Sequence, residues 1–415
     1  MKKSLLLAAL LALLVVPSAP AFAAIGANGP TPAATLLLPY FEVDLANPGG
    51  VNTLFTVANA SASAGVVHVT LWTELGIPTY AFDIYLTGFD AETVDLRLLF
   101  QGIAPISADD GSDPTDRISP QGIISQDINF PGAVPPCANG PIPRMSPAQV
   151  LDLQRAHTGL SSSIRAGWNA TCGARPHGDD IARGFVTIDD VVICSDAVPT
   201  DPGYFTDIIG RRNIWFGEFL ILDRENNFAI GDALAHVEAS YSDPRVTDPA
   251  AHTFYGWVRG YAGTSDSREP LPTAWRTRYV DAGAFDGGTD LLVWRAPPGP
   301  VGTFACGGAL PAPFPLPQRY LAVFDEQENP FVPAAGSYFP VAAERVPVSS
   351  LSPPSPFGFL HLDLKRGSDP SPGALAGVGQ SWISTDLRAT GRFSVGFGAR
   401  ALDNALDPFL AILGN

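Results

Sequence analysis

Residues 49–57 read GGVNTLFTV and residues 287–295 read GGTDLLVWR. Each opens on two glycines, residues suited to a tight turn, and runs on into the apolar and β-branched residues of a buried strand. Around the first stretch the order is LLLPYFEVDL, then GGVNTLFTVANAS, VVHVTLWTE, FDIYL, ETVDLRLLF and, after a long insertion, RGFVTIDDVVICSD. Around the second it is LPTAWRTRYVDAG, GGTDLLVWRAP, RYLAVFDEQ, SYFPVA, ERVPVSSL and FGFLHLDLK. The halves also finish alike, on FGEFLILDRENNFAIGDALAHVEA and QSWISTDLRATGRFSVGFGARALD. This order predicts an all-β chain built by internal duplication, with two tandem antiparallel β-sandwich domains over residues 31–245 and 255–415.

Alternation supports the strand assignment. In FLHLDLK, Leu360, Leu362 and Leu364 take one side while His361, Asp363 and Lys365 take the other. VVHVTLW carries the same period, so one buried face is expected there too. Ile84, Leu86, Val94 and Leu96 should face inward, and RFSVGFGAR groups Phe393, Val395 and Phe397. One segment departs from this rhythm. SPAQVLDLQRAHTG has Ser146 as N-cap, Pro147 at the first helical position, Gln149 completing a capping box and Gly159 as a stop. It predicts a short helix over 147–157, inside an insertion at about 101–182.

LFTVANASASAGVVHVTLW and YLTGFDAETVDL, within residues 54–96, place a strand ending in Asn59, a polar turn, a second strand and a Gly-containing loop into Thr-Val-Asp-Leu. This pattern resembles the immunoglobulin-like modules of secreted bacterial envelope proteins. The resemblance implies a scaffold that hosts many functions and transfers no active-site residues.

The chain begins MKKSLLLAALLALLVVPSAPAFAA: two lysines, an apolar run from Leu5 to Val16, and a small-residue end. This is the pattern of a bacterial secretory leader over residues 1–23, cleaved after Ala23. The mature protein is therefore expected to be secreted or periplasmic. Nothing after the leader is long enough for a membrane-spanning helix, which needs about 20 apolar residues. Against 41 aspartates and glutamates stand 25 lysines and arginines, two of them in the leader. Such an acidic chain repels nucleic acid and anionic lipid. An oxidising address also makes disulfides of Cys137, Cys172, Cys194 and Cys306. The favoured pairs are Cys137 with Cys172 and Cys194 with Cys306.

Chemistry is harder to find. Gly-x-Ser-x-Gly, His-Glu-x-x-His, Walker and Gly-x-Gly-x-x-Gly patterns are all absent from the sequence. Asp109, Asp110, Asp113 and Asp116 crowd one loop, whose oxygens suit calcium. His236 with Glu238, and His361 with Asp363, are alternate residues that offer two metal ligands each on one strand face. Tyr255, Trp257 and Tyr261 form an aromatic cluster, either core or a stacking platform for sugar rings. Asn59 and Asn169 match the glycosylation pattern but should be bare in a bacterium.

The resulting expectation is a non-enzymatic structural, adhesive or interaction protein of the envelope or extracellular space. Its partner would be a protein or a polysaccharide. The alternatives are a carbohydrate-binding protein using exposed aromatics, and a glycoside hydrolase with two carboxylates.

Overall fold

The computed structural model describes residues 31–103, 105, 145–248, 252–259, 266–283, 285–333, 336, 338–365, 379–390 and 393–402. The expected leader of residues 1–23, the four aspartates of residues 108–116, Cys137 and Tyr261 lie outside these residues.

The first half runs β1 (Thr35–Asp44), β2 (Asn52–Asn59), β3 (Gly65–Thr73), β4 (Pro78–Leu86), β5 (Ala91–Asp95), α1 (Leu96–Phe100), α2 (Pro147–His157), β6 (Ile181–Val191), β7 (Trp215–Asp223), β8 (Phe228–Ala233) and β9 (Ala235–Val237). Two short helices follow, α3 (Pro244–Thr247) and α4 (Gly256–Arg259). The second half runs β10 (Ala274–Val280), β11 (Gly288–Arg295), β12 (Tyr320–Phe324), β13 (Pro330–Phe331), β14 (Ala343–Pro347), a 3-10 turn at Val348–Leu351, β15 (Phe357–Asp363), β16 (Ser381–Ala389), β17 (Phe393–Gly398) and β18 (Arg400–Ala401). The protein is thus mostly β, with antiparallel ladders. Helix α2 has the expected ends: Ser146 and Gln149 close a capping box, and Gly159 takes a positive φ beyond Thr158.

The strands form four sheets. In the first half the orders are β4-β3-β6-β1-β9 and β5-β2-β7-β8; in the second they are β13-β12-β15-β10-β18 and β14-β11-β16-β17. Renumbering β10–β18 as β1–β9 makes the two pairs of orders identical. Even the exits agree, since β5 runs into a helix and β14 into a 3-10 turn. The SYFPVA stretch forms no strand in its described residues, and the short β13 upstream of it occupies the place of β4.

Equivalent positions repeat in detail. A Cβ on Gly184 of β6 would collide with the Trp72 carbonyl and sit 3.0 Å from the Phe41 ring. A Cβ on Gly358 of β15 would collide with the Phe324 carbonyl and sit 3.1 Å from the Tyr279 ring. Only glycine admits both close neighbours. The next residue also matches. Phe185 stacks on Trp72 across the ladder, centroids 5.6 Å apart, and Phe359 stacks on Phe324 at 4.5 Å.

Burial orders the sheets as layers. Strands β2, β7, β10 and β15 alternate buried with more exposed residues, as outer sheets do. Strands β3, β11 and nearly all of β1 and β16 are buried throughout. β1 packs on β2 and β7 of its own half and on β11, β14 and β16 of the other. The five-stranded sheet of the first half and the four-stranded sheet of the second therefore meet in the middle. This corrects the expectation for VVHVTLW: its polar residues His68 and Thr70 are fully buried rather than on a wet face. His68 survives there because Asp83, also buried, lies 2.7 Å from its Nδ1.

The meeting layers are tied by charge and by a covalent bond. Arg345 of β14 reaches Glu42 of β1 and binds Asp386 at 2.6 Å and Asp290 at 3.2 Å. Arg175 joins Glu74 and Glu344, each at 2.8 Å. Burial acts to raise the Glu74 pKa, but hydrogen bonds from His177 and Arg175 outweigh it and hold the carboxyl at about 2. Cys172 is bonded to Cys306, with Cα atoms 5.1 Å apart, so neither favoured cysteine pair forms. The expectation failed because Cys137 is near Cys172 in sequence, whereas the 162–172 segment is brought to the second half by the bridge between Cys172 and Phe304.

Candidate binding surface

Most residues singled out from sequence are structural. Tyr255 and Trp257 are buried at the inner layers, not presented on a strand face. The Trp257 ring packs against Trp72 at 5.0 Å and Trp294 at 6.3 Å. Tyr255 donates its hydroxyl to Asp189 at 2.6 Å, and Tyr204 donates to the same carboxylate at 2.7 Å. Burial, and next the Asp189 charge, push both phenols well above their ordinary pKa. Those two residues consequently form no sugar platform, and Tyr261 and the acidic loop lie outside the described residues.

The two metal-ligand pairs are engaged elsewhere. His236 has its Nδ1 2.6 Å from the Thr31 carbonyl, and Glu238 accepts the Thr31 hydroxyl at 2.8 Å. His361 leans on the Tyr320 ring, while Asp363 pairs with Arg319 at 3.7 Å. Among the described residues no group of three or more His, Cys, Asp or Glu is arranged to hold a metal ion. Asn59 is buried, its amide donating to the Ser63 and Thr87 carbonyls at 2.8 and 2.9 Å, so it is closed to a glycan.

The surface that sequence reading passed over lies on the outer sheet of the second half. A groove of about 860 Å³ is lined by Arg276, Arg278 and Arg400 with Phe357 and Phe359, and by Asp325, Glu326 and Glu328. Strand pleating explains the grouping. Arg276 and Arg278 are alternate residues of β10, opposite His361 and Phe359 of β15, and Arg276 lies opposite Arg400 of β18. The intervening Trp275, Thr277 and Tyr279 are buried.

Charge makes the groove unusual for this chain. Among the described residues, most arginines elsewhere are tied up, as Arg165, Arg175, Arg183, Arg212, Arg345 and Arg388 are with carboxylates. Arg276, Arg278 and Arg400 are exposed, and among the described residues none has a carboxylate within ion-pair distance. The Arg276 guanidinium lies over the Phe359 ring at 4.1 Å, with Phe324 stacked beyond it. Such stacking holds the fork of a guanidinium in place and leaves its N–H edge free for an oxygen acceptor. Phe357 adds an apolar surface 39% exposed. The arrangement offers guanidinium donors, carboxylate acceptors and aromatic area in one groove. These are properties of a docking surface.

No family model, no curated protein and no solved structure matches the chain. Among the described residues no helix is long and apolar enough to cross a membrane.

Proposed function

We propose that this chain is an exported structural or adhesive protein of the bacterial envelope, which works by binding rather than by catalysis. Its scaffold is a pair of immunoglobulin-like β-sandwiches arisen by internal duplication, and the second presents the contact surface. The observation that carries the reading is the groove, where three arginines with no carboxylate at ion-pair distance among the described residues stand beside exposed aromatic carbon in an acidic chain. The matching strand orders, the paired glycines Gly184 and Gly358, and the paired stacks support the duplication. The leader of residues 1–23 supports export.

Fractionation of cells producing the full chain tests this reading. The processed protein, beginning at Ala24, should be retained with the envelope or an extracellular layer, and Arg276→Glu with Arg278→Glu should release it in soluble form. An unprocessed protein in the cytoplasm, or retention indifferent to both changes, would contradict it.

A further inference from the structure

The two halves do not meet through equivalent faces. The first half contributes the side of its five-stranded sheet that carries Trp72 and Phe185; the second contributes the side of its four-stranded sheet that carries Asp290, Trp294 and Asp386. A contact between unlike faces leaves one copy of each unused. The unused partner of the Trp72–Phe185 face is the outer side of β10, β12 and β15, where the equivalent Phe324–Phe359 stack sits beside the groove. The unused partner of the Asp290–Asp386 face is the outer side of β2 and β7. Register identifies it, since Leu54 lies opposite Leu220 as Asp290 lies opposite Asp386.

That second face is smooth in the sense that most of its side chains are small or apolar. It presents Leu54, Thr56 and Ala58 of β2, with Leu220 38% exposed beside them on β7. Its neighbours on β5 and β8 are small, including Thr93, Gly231 and Ala233. Glu218 stands exposed opposite Thr56, and half-buried Asp95 of β5 lies opposite Leu54. Exposed Glu218 gives this face an acceptor for the groove's arginines, and its apolar carbon can cover Phe357 and Phe359, which makes the two faces suited to each other at those points although the groove lining also carries Asp325, Glu326 and Glu328.

We propose that copies of this chain associate head to tail, the outer β2–β7 face of one seating on the β10–β15 groove of the next. The contact continues between molecules the stacking already present between the halves. It rests on the reading of the halves as one plan, and it makes the assembly role specific by naming a second copy as the partner. Because the joined faces differ, the association does not close at a dimer unless the geometry forms a ring.

Sedimentation velocity on the purified mature chain tests this, at up to about 100 μM, where any contact tighter than about 10 μM is well populated. The wild type should grow with concentration beyond a dimer. Phe357→Glu with Arg278→Glu blocks the groove, and Leu220→Arg blocks the smooth face, so each variant alone should be monomeric. Their equimolar mixture retains one good groove and one good face, and should stop at a dimer. Circular dichroism checks that the variants fold; Thr93→Arg, at an exposed position, replaces Leu220→Arg if that variant does not. A wild type that stays monomeric overturns the proposal, as does a mixture that stays monomeric or variants that assemble unchanged. Any of these leaves the fractionation result intact, so the two readings fail separately.

Discussion

Thr53 and Thr289 perform the same task in the two halves. The Thr53 hydroxyl accepts the Glu42 amide at 3.1 Å and donates to the Glu42 carbonyl at 2.9 Å; the Thr289 hydroxyl treats Val280 identically, at 2.9 Å in each direction. The reason lies in the sheets. β9 covers only Thr35–Leu37 of β1, and β18 only Trp275–Arg276 of β10, so each long strand has edge groups needing a partner. Removing either hydroxyl strands a donor and an acceptor. Thr53→Val and Thr289→Val should each cost about 1–3 kcal/mol, read as a fall in denaturant midpoint at constant slope. Loss from one and none from the other would break the equivalence.

The glycine pair gives a steric counterpart. Gly184→Ala and Gly358→Ala both drive a methyl into a carbonyl and an aromatic ring, and each should destabilise by about 1–3 kcal/mol or more. Gly299→Ala, where a Cβ meets nothing within 4 Å, should be near neutral in the same thermal melts.

A titration prediction follows from His157. It is fully buried, its Nδ1 2.9 Å from the Arg183 carbonyl and its Nε2 2.8 Å from the Thr79 hydroxyl. Burial pulls its pKa down from the ordinary 6.5 to about 4. The unfolded chain therefore takes up a proton before the folded chain does, and stability should fall as pH drops from about 6.5 to about 4. The full contribution is about 3 kcal/mol. Chemical denaturation at steps across that range checks it, with His157→Gln expected to flatten the slope; an unchanged slope would contradict the assignment.

Arg345 and Arg278 should behave oppositely. Arg345→Met leaves Glu42 without its cation and Asp290 and Asp386 sharing Arg388 alone, and should cost about 3–5 kcal/mol. Arg278→Met removes an exposed charge with no carboxylate at ion-pair distance among the described residues, so stability should change by less than about 0.5 kcal/mol. Equal losses would mean that the groove arginine is structural.

How far the sequence foretold this depends on the layer. In the outer sheets the period of two is plain: Leu360 and Leu362 are buried while His361 and Asp363 are partly open. Helix α2 was legible from Ser146, Pro147 and Gln149, because a capping box is local chemistry. The inner strands misled, since His68 and Asp189 look solvent-facing but are enclosed and paired within the core. The repeated Gly-Gly pointed to the right strands for a partly wrong reason: Thr53 follows its glycine pair by three residues and Thr289 by one, so the glycines themselves are not equivalent. The groove was hidden because its walls come from β10, β15 and β18, far apart in the chain, although AWRTRYV carried its signal in Arg276 and Arg278.

Crystallography of the chain measures the central claim most directly. Superimposing β1–β9 on β10–β18 should bring Thr53 onto Thr289, Gly184 onto Gly358, and the Trp72–Phe185 pair onto Phe324–Phe359, with the first pair enclosed between the halves and the second facing outward. Halves whose strand orders differ, or a Phe324–Phe359 pair sealed inside its own half, would contradict it.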